Sequence, residues 1–193
     1  MRVERSEILG LGEYEAQREA IRARILGEKR IRRVHVGPVL TLLFENADTI
    51  RYQVQEMVRT ERLTGDAEVR HELETYNELL GGPGELGCTL LIELDDPVER
   101  DARLREWRTL PEHLYVGLPG GRKARARYDR RQVGSDRLSA VQYLKFEVGA
   151  LVPSAVGCDL PGLRAETILT AEQRQALALD LDDARVAVHG VEA

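Results

Sequence analysis

Apolar positions recur along the chain in two periods, and the switch between them marks its elements. From about 12 to 30, Tyr14, Ile21 and Ile25 share one side of a run rich in Glu, Gln, Arg and Ala, which predicts an amphipathic helix. β-branched and apolar residues then take over and Gly37-Pro38 interrupts them, so two short strands are expected, Arg33–Val36 and Val39–Glu45. The second is apolar almost throughout, as for a central strand. Asp48-Thr49 supplies a cap for a helix to about Leu63, and Gly65-Asp66 opens another to Leu80, ended by Gly81-Gly82-Pro83-Gly84. Gly87–Leu94 reads as a buried strand, after which Asp96 and Pro97 form the clearest helix start, for a helix to about Leu110. Leu114–Leu118, Lys123–Tyr128 and Ala140–Val148 read as consecutive antiparallel strands, with turns at Pro119-Gly120-Gly121 and Val133-Gly134-Ser135-Asp136. A loop containing Pro153, Gly157, Pro161 and Gly162 follows. Thr170 with Gln173 then opens a final helix, Ala171–Leu181.

Helices interspersed with hairpin-like strands predict an α+β fold, with a mixed, mostly antiparallel sheet and flanking helices. One domain is expected over 1–193: a core of about 12–150, a C-terminal loop and helix over 151–183, and a frayed tail over 184–193 that holds His189. At 193 residues and 42% apolar, the chain is long enough for one proper core. Charge then narrows the partners. Lys plus Arg number 28 against 33 Asp plus Glu, a net of −5, which argues against a non-specific nucleic-acid binder. Acidic residues stand just after Met1, where a signal peptide needs an apolar run, and no stretch approaches the ~18 apolar residues of a membrane span. A cytoplasmic protein with no membrane partner is the expectation. Cys88 and Cys158 lie far apart and outside any Cys-x-x-Cys pair, so both are read as small apolar fillers.

Familiar chemical motifs fail on inspection. Gly117–Ala124 has the look of a phosphate loop but lacks Gly before Lys123 and Ser or Thr after it. Gly10-Leu11-Gly12 meets Glu15 where a dinucleotide fingerprint needs its third glycine, and His71-Glu72 meets Thr75 where a zinc-protease helix needs its second His. No metal site is expected, and no cofactor is named. Two charged constellations remain. The basic run Arg122, Lys123, Arg125, Arg127, Arg130 and Arg131 is either a solvated edge strand whose charges block edge-to-edge association or a track for phosphates. On the helix beginning near Thr49, Ile50, Val54, Met57 and Val58 share one arc, while Arg51, Gln55, Arg59 and Arg62 fill another. Glu61 falls within the apolar arc, where an ionised carboxylate needs partners from other elements. The ridge is therefore either a buried or interfacial salt-bridge network or an anion-binding surface. In the second case Glu56 or Glu61 serves as acid or base and His71, near Glu74 on its own helix, as proton carrier.

The run Gly37–Glu45 with Tyr52–Arg62 resembles a bacterial family of domains of unknown function, numbered 3501. His71-Glu72-Leu73 with Tyr76-Asn77, and Ser139-Ala140-Val141 with Phe146-Glu147, extend the resemblance over nearly the whole chain. The family brings no established activity. Its association with genes for rubrerythrin-like and iron-sulfur proteins implies a role in peroxide or redox physiology. The resemblance also implies two departures: the family often has His where this chain has Gln142, and a His-Pro-x-Tyr string where it has Leu160-Pro161-Gly162-Leu163. The leading reading is an accessory or interaction protein, with a protein partner or a second copy of itself. The alternatives are an enzyme acting on an anionic small molecule through the Arg/Glu/His set and, more weakly, a nucleic-acid binder through 122–131.

Overall fold

The computed structural model describes residues 2–189. Its elements in order are α1 (Leu11–Arg32), β1 (Arg33–Val36), β2 (Leu40–Phe44), α2 (Ala47–Glu61), α3 (Asp66–Asn77), β3 (Glu85–Ile92), α4 (Pro97–Glu106), β4 (Leu114–Leu118), β5 (Arg122–Tyr128), β6 (Val141–Glu147), β7 (Ala155–Cys158), β8 (Ala165–Ile168) and α5 (Ala171–His189). The strands form one antiparallel sheet in the order β1-β2-β3-β6-β5-β4-β7-β8. The sheet curls until its ends approach each other. There Thr167 Oγ1 donates to the His35 carbonyl (2.6 Å) and Gln173 Nε2 to that of Arg33 (3.0 Å). Side chains thus satisfy carbonyls on the outer edge of β1, and the fold is α+β with a nearly closed barrel.

Local chemistry explains the helix starts. Asp96 accepts from the main-chain N–H groups of Val98 (2.9 Å) and Glu99 (2.7 Å), with Pro97 in the first helical turn. Thr170 and Gln173 exchange hydrogen bonds in a capping box. The cap of α2 is Asn46, not Asp48-Thr49: Thr49 lies one turn in and returns its hydroxyl to the Asn46 N–H (3.0 Å). Helices α3 and α4 end earlier than periodicity suggests, at Asn77 and Glu106. Helix α5 continues through most of the stretch read as a frayed tail, and residues 190–193 lie outside the described residues.

Two strands replace the expected loop over 151–170. β7, Ala-Val-Gly-Cys, is buried on both faces, so its pattern has no alternation, and its small residues carry little strand propensity. β2 is buried throughout as predicted but lies second from the end of the sheet rather than at its centre. β5 lies between β4 and β6, which corrects the edge-strand reading of the basic run.

Apolar side chains fill the barrel, with Phe44 and Phe146 in tilted contact at 6.2 Å between ring centroids. A second cluster lies outside, where Ile50, Val54 and Val58 of α2 meet Val69 and Leu73 of α3 and Val3 and Ile8 of the N-terminal segment. Helix α1 differs. Of its 22 residues only Tyr14, Ile25 and Arg32 are buried, so polar contacts must do much of its docking. The deepest is Arg32, which grips both oxygens of Asp180 on α5 (2.9 and 2.8 Å) and also pairs with Glu28. Burial opposes the Arg32 charge, yet the pairing raises its pKa above the ordinary value. Removing one partner of so buried a pair strands the other. Arg32→Met is expected to lower unfolding free energy in urea by about 3–5 kcal/mol, and Arg32→Met with Asp180→Leu to recover much of that loss.

Candidate functional site

The α2 ridge faces the N-terminal segment and α1. Gln55 is buried, and its carboxamide pairs with both main-chain groups of Leu9, accepting from the N–H (2.9 Å) and donating to the carbonyl (3.0 Å). Asn77, at the end of α3, treats Val3 the same way (2.8 and 3.0 Å). Between them the two carboxamides satisfy peptide groups of the segment before α1, which would otherwise be covered without partners.

Glu56 is the electrostatic centre. One of its oxygens accepts from the Tyr14 hydroxyl (2.6 Å) and Arg18 Nε (2.8 Å), the other from Arg18 Nη2 (2.8 Å). Arg18 foremost, with Tyr14 adding, holds the Glu56 carboxyl down to about 2, and burial together with Glu56 pushes the Tyr14 phenol up. Along the same helix Arg51 pairs with Glu7 and Asp48, Arg24 with Asp48 (3.0 Å), and Arg59 with Glu15 (2.7 Å). The ridge residues Arg51, Gln55, Glu56 and Arg59 thus hold α1 and the segment before it.

The remaining candidates on these helices lie elsewhere. Glu61, read as lying in the apolar arc, is exposed, because it ends the helix beyond its packed face. Arg62 is exposed in the left-handed conformation (φ 54°) that closes α2. His71 is exposed on α3, with its carbonyl accepting from Thr75 Oγ1 (3.0 Å).

Several side chains of the basic run meet partners elsewhere in the fold. Arg125 grips both oxygens of Asp159 (3.0 and 2.7 Å), whose carboxyl Arg125, with His113 Nδ1 at 3.0 Å, holds far below its ordinary range. Arg127 donates to Glu85 (2.8 Å), Arg131 to Asp129 (2.7 Å), and the Lys123 ammonium lies 3.7 Å from the Tyr115 ring centroid. Arg122 and Arg130 are exposed. With three of the six basic groups in ion pairs, the run presents far less charge to a phosphate backbone than its sequence suggests.

A different feature emerges on the outer face of the sheet. A groove of about 510 Å³ runs between the end of α3 and β5–β6, with Leu79, Tyr128, Gln132, Tyr143 and Lys145 in its lining. Two local devices shape it. β5 turns away after Tyr128, and the Gln132 carboxamide takes its place beside β6, accepting from the Tyr143 N–H (2.7 Å) and donating to its carbonyl (3.2 Å). On the other side the Leu79 carbonyl crosses Gly87 so closely that a Cβ there would approach it to 1.9 Å. Sequence reasoning missed this groove because it joins residues from three separate stretches. It also missed Tyr14 and Arg18, whose i, i+4 spacing on the predicted first helix was the available signal.

Gln142 and Leu160–Leu163, where the resemblance implies histidines, are not themselves in the groove lining, although Gln142 Nε2 lies 3.4 Å from the carbonyl of Gln132, which is. Gln142 is fully buried on the inner face, in register with Leu90, and its Nε2 donates to the Ser139 carbonyl (3.0 Å). Leu160–Leu163 forms the turn between β7 and β8. Among the described residues no group of three or more His, Cys, Asp or Glu is arranged to hold a metal ion, and no helix is long and apolar enough to cross a membrane.

The model of a family described as "Protein of unknown function (DUF3501)" matches residues 2–181. No curated protein matches the chain. Among solved structures, it is similar to the crystal structure of a novel protein of unknown function from Burkholderia pseudomallei K96243, with a TM-score of 0.86 and 28% identity, over 94% of this chain and 100% of that one.

Two expectations follow. Because the Glu56 pKa is depressed in the fold, its contribution is complete above the ordinary value of 4.5 and lost as pH falls toward about 2. The stability gap between wild type and Glu56→Gln, on the order of 2 kcal/mol at pH 7 after solvent screening, should therefore close over that window in urea titrations; a gap that stays constant would contradict the assignment. Cys88 and Cys158 are both buried and burial pushes both thiols up, so each should react with a thiol reagent only as the protein unfolds. Labelling at native rates comparable to a free thiol would overturn that.

Proposed function

Since the chain belongs to the DUF3501 family of proteins of unknown function, we propose that it is a cytoplasmic accessory protein that acts by binding, in peroxide, redox or iron-sulfur physiology. The observation that carries the binding reading is the division of labour between its two polar surfaces. The α2 ridge, the strongest candidate for an acid/base or anion site, directs Arg51, Gln55, Glu56 and Arg59 at α1 and the N-terminal segment. The β5–β6 face instead leaves Val141 and Tyr143 about two-fifths exposed beside an open groove (39% and 41%). Adjacent exposed apolar side chains next to a concavity of this size are what a recognition surface requires. The physiological setting rests on the family resemblance alone. In that setting the contribution is one of binding rather than thiol chemistry, because both cysteines are buried and their thiols disfavour ionisation.

The test is native mass spectrometry of the full chain isolated from the bacterium that encodes it, compared with Tyr143→Ala and Arg59→Ala. A stoichiometric second species, polypeptide or small molecule, is expected on wild type and Arg59→Ala and absent from Tyr143→Ala. A species lost from folded Arg59→Ala but kept by Tyr143→Ala would move the activity to the ridge and favour the enzyme alternative. Bare protein in all three preparations would count against action by stable binding.

A further inference from the structure

The charges around the β5–β6 groove are unevenly matched. Arg127 donates to Glu85 (2.8 Å), and Asp129 accepts from Arg131 (2.7 Å). Lys145 is the exception. It is half-buried in the groove lining, yet it has no hydrogen-bond, ion-pair or ring partner among the described residues. An ammonium that has lost part of its hydration without gaining a counter-ion is better stabilised by an anion than by water alone.

Its position is set by the sheet. Lys145 lies opposite Arg127 on β5 and Gly87 on β3, and Gly87 has no side chain to cover it because the Leu79 carbonyl crosses there. Beside it the lining offers apolar surface from Tyr143 on the same strand and Leu79 beyond α3. Gln132 fixes the main chain of Tyr143 at both its N–H and carbonyl, so that part of the floor is preorganised. A volume of about 510 Å³ is in the range of small-molecule sites.

We infer that this groove binds a small aromatic carboxylate, with the carboxylate on Lys145 and the ring against Tyr143 and Leu79. The inference rests on the binding reading above and names the ligand class for the same face. Glu78 and Asp129, both in the groove lining, set its selectivity: they disfavour a second negative charge on the far end of the ligand, so a monoanion fits better than a dianion.

The test uses 2-naphthoate and its neutral counterpart 2-naphthamide as probes, titrated into the ¹⁵N-labelled full chain and followed by amide chemical shifts. 2-Naphthoate is expected to shift the amides of Tyr128, Gln132, Tyr143 and Lys145 and to bind at least about tenfold more tightly than 2-naphthamide, the factor for one charge-assisted hydrogen bond. Lys145→Met should remove that preference while leaving weak binding of both probes, and Lys145→Arg should retain it. Because Lys145 has no internal partner, its replacement should leave the fold intact, which the unshifted amides of the same spectra report. Equal affinity of the two probes for wild type, a preference that survives Lys145→Met, or shifts gathered along Arg122–Arg125 would overturn the inference. If the probes fail while a polypeptide still depends on Tyr143, the ligand class is wrong and the binding reading stands.

Discussion

A carboxylate that is four-fifths buried must be met by donors, and Glu56 meets this constraint by drawing Tyr14 and Arg18 of α1 onto α2. Much of the architecture follows. Helix α1 is long but buries few apolar side chains, so hydrophobic contact alone would leave its position loosely specified. The Glu56 fork, with Glu15–Arg59 on one side and Arg24–Asp48 on the other, sets how far along α2 it sits. Its last residue, Arg32, then reaches Asp180 on α5 immediately before the chain enters β1. The start of the barrel is thereby tied to the helix that follows its final strand.

The same economy of polar groups shapes the outer surface. Three carboxamides, Gln55, Asn77 and Gln132, each pair with both main-chain groups of one distant residue and so stand in for a missing strand. Two of them fasten the segment before α1. The third extends β6 where β5 departs, and the groove opens at that departure. Gly87 contributes by being small, since any Cβ would collide with the Leu79 carbonyl and push that wall of the groove away from the sheet. An apolar barrel carries the packing, while an outer layer of charged and amide contacts positions what surrounds it.

Much of the fold was legible because local signals agreed with the tertiary outcome. The Asp96-Pro97 start, the Thr170/Gln173 box and the alternation over 141–147 all correspond to observed contacts or strands. β7 was hidden because a strand of small residues buried on both faces has no period to detect, and Gly157 suggested a turn where its lack of a side chain in fact accommodates the Tyr115 ring. Charge was legible as pattern but not as pairing. The ridge on α2 was visible, yet whether it met solvent or α1 depended on Tyr14 and Arg18, some forty residues earlier. Likewise the basic run on β5 could be seen, but Asp159 and Glu85, which lie far off in sequence, decide how much of its charge remains. Lys145 was only one member of an alternating strand until the register placed it on the face of Tyr143 and opposite a glycine.

The central claim is that the α2 ridge is a docking rail for α1 and that recognition belongs to the β5–β6 face. Native-state hydrogen exchange resolves these regions in one experiment. In Glu56→Gln the account predicts a large loss of protection across 11–32, with amides of β3 and β6 close to their wild-type protection. Unchanged protection in α1, or an equal loss throughout the barrel, would contradict it.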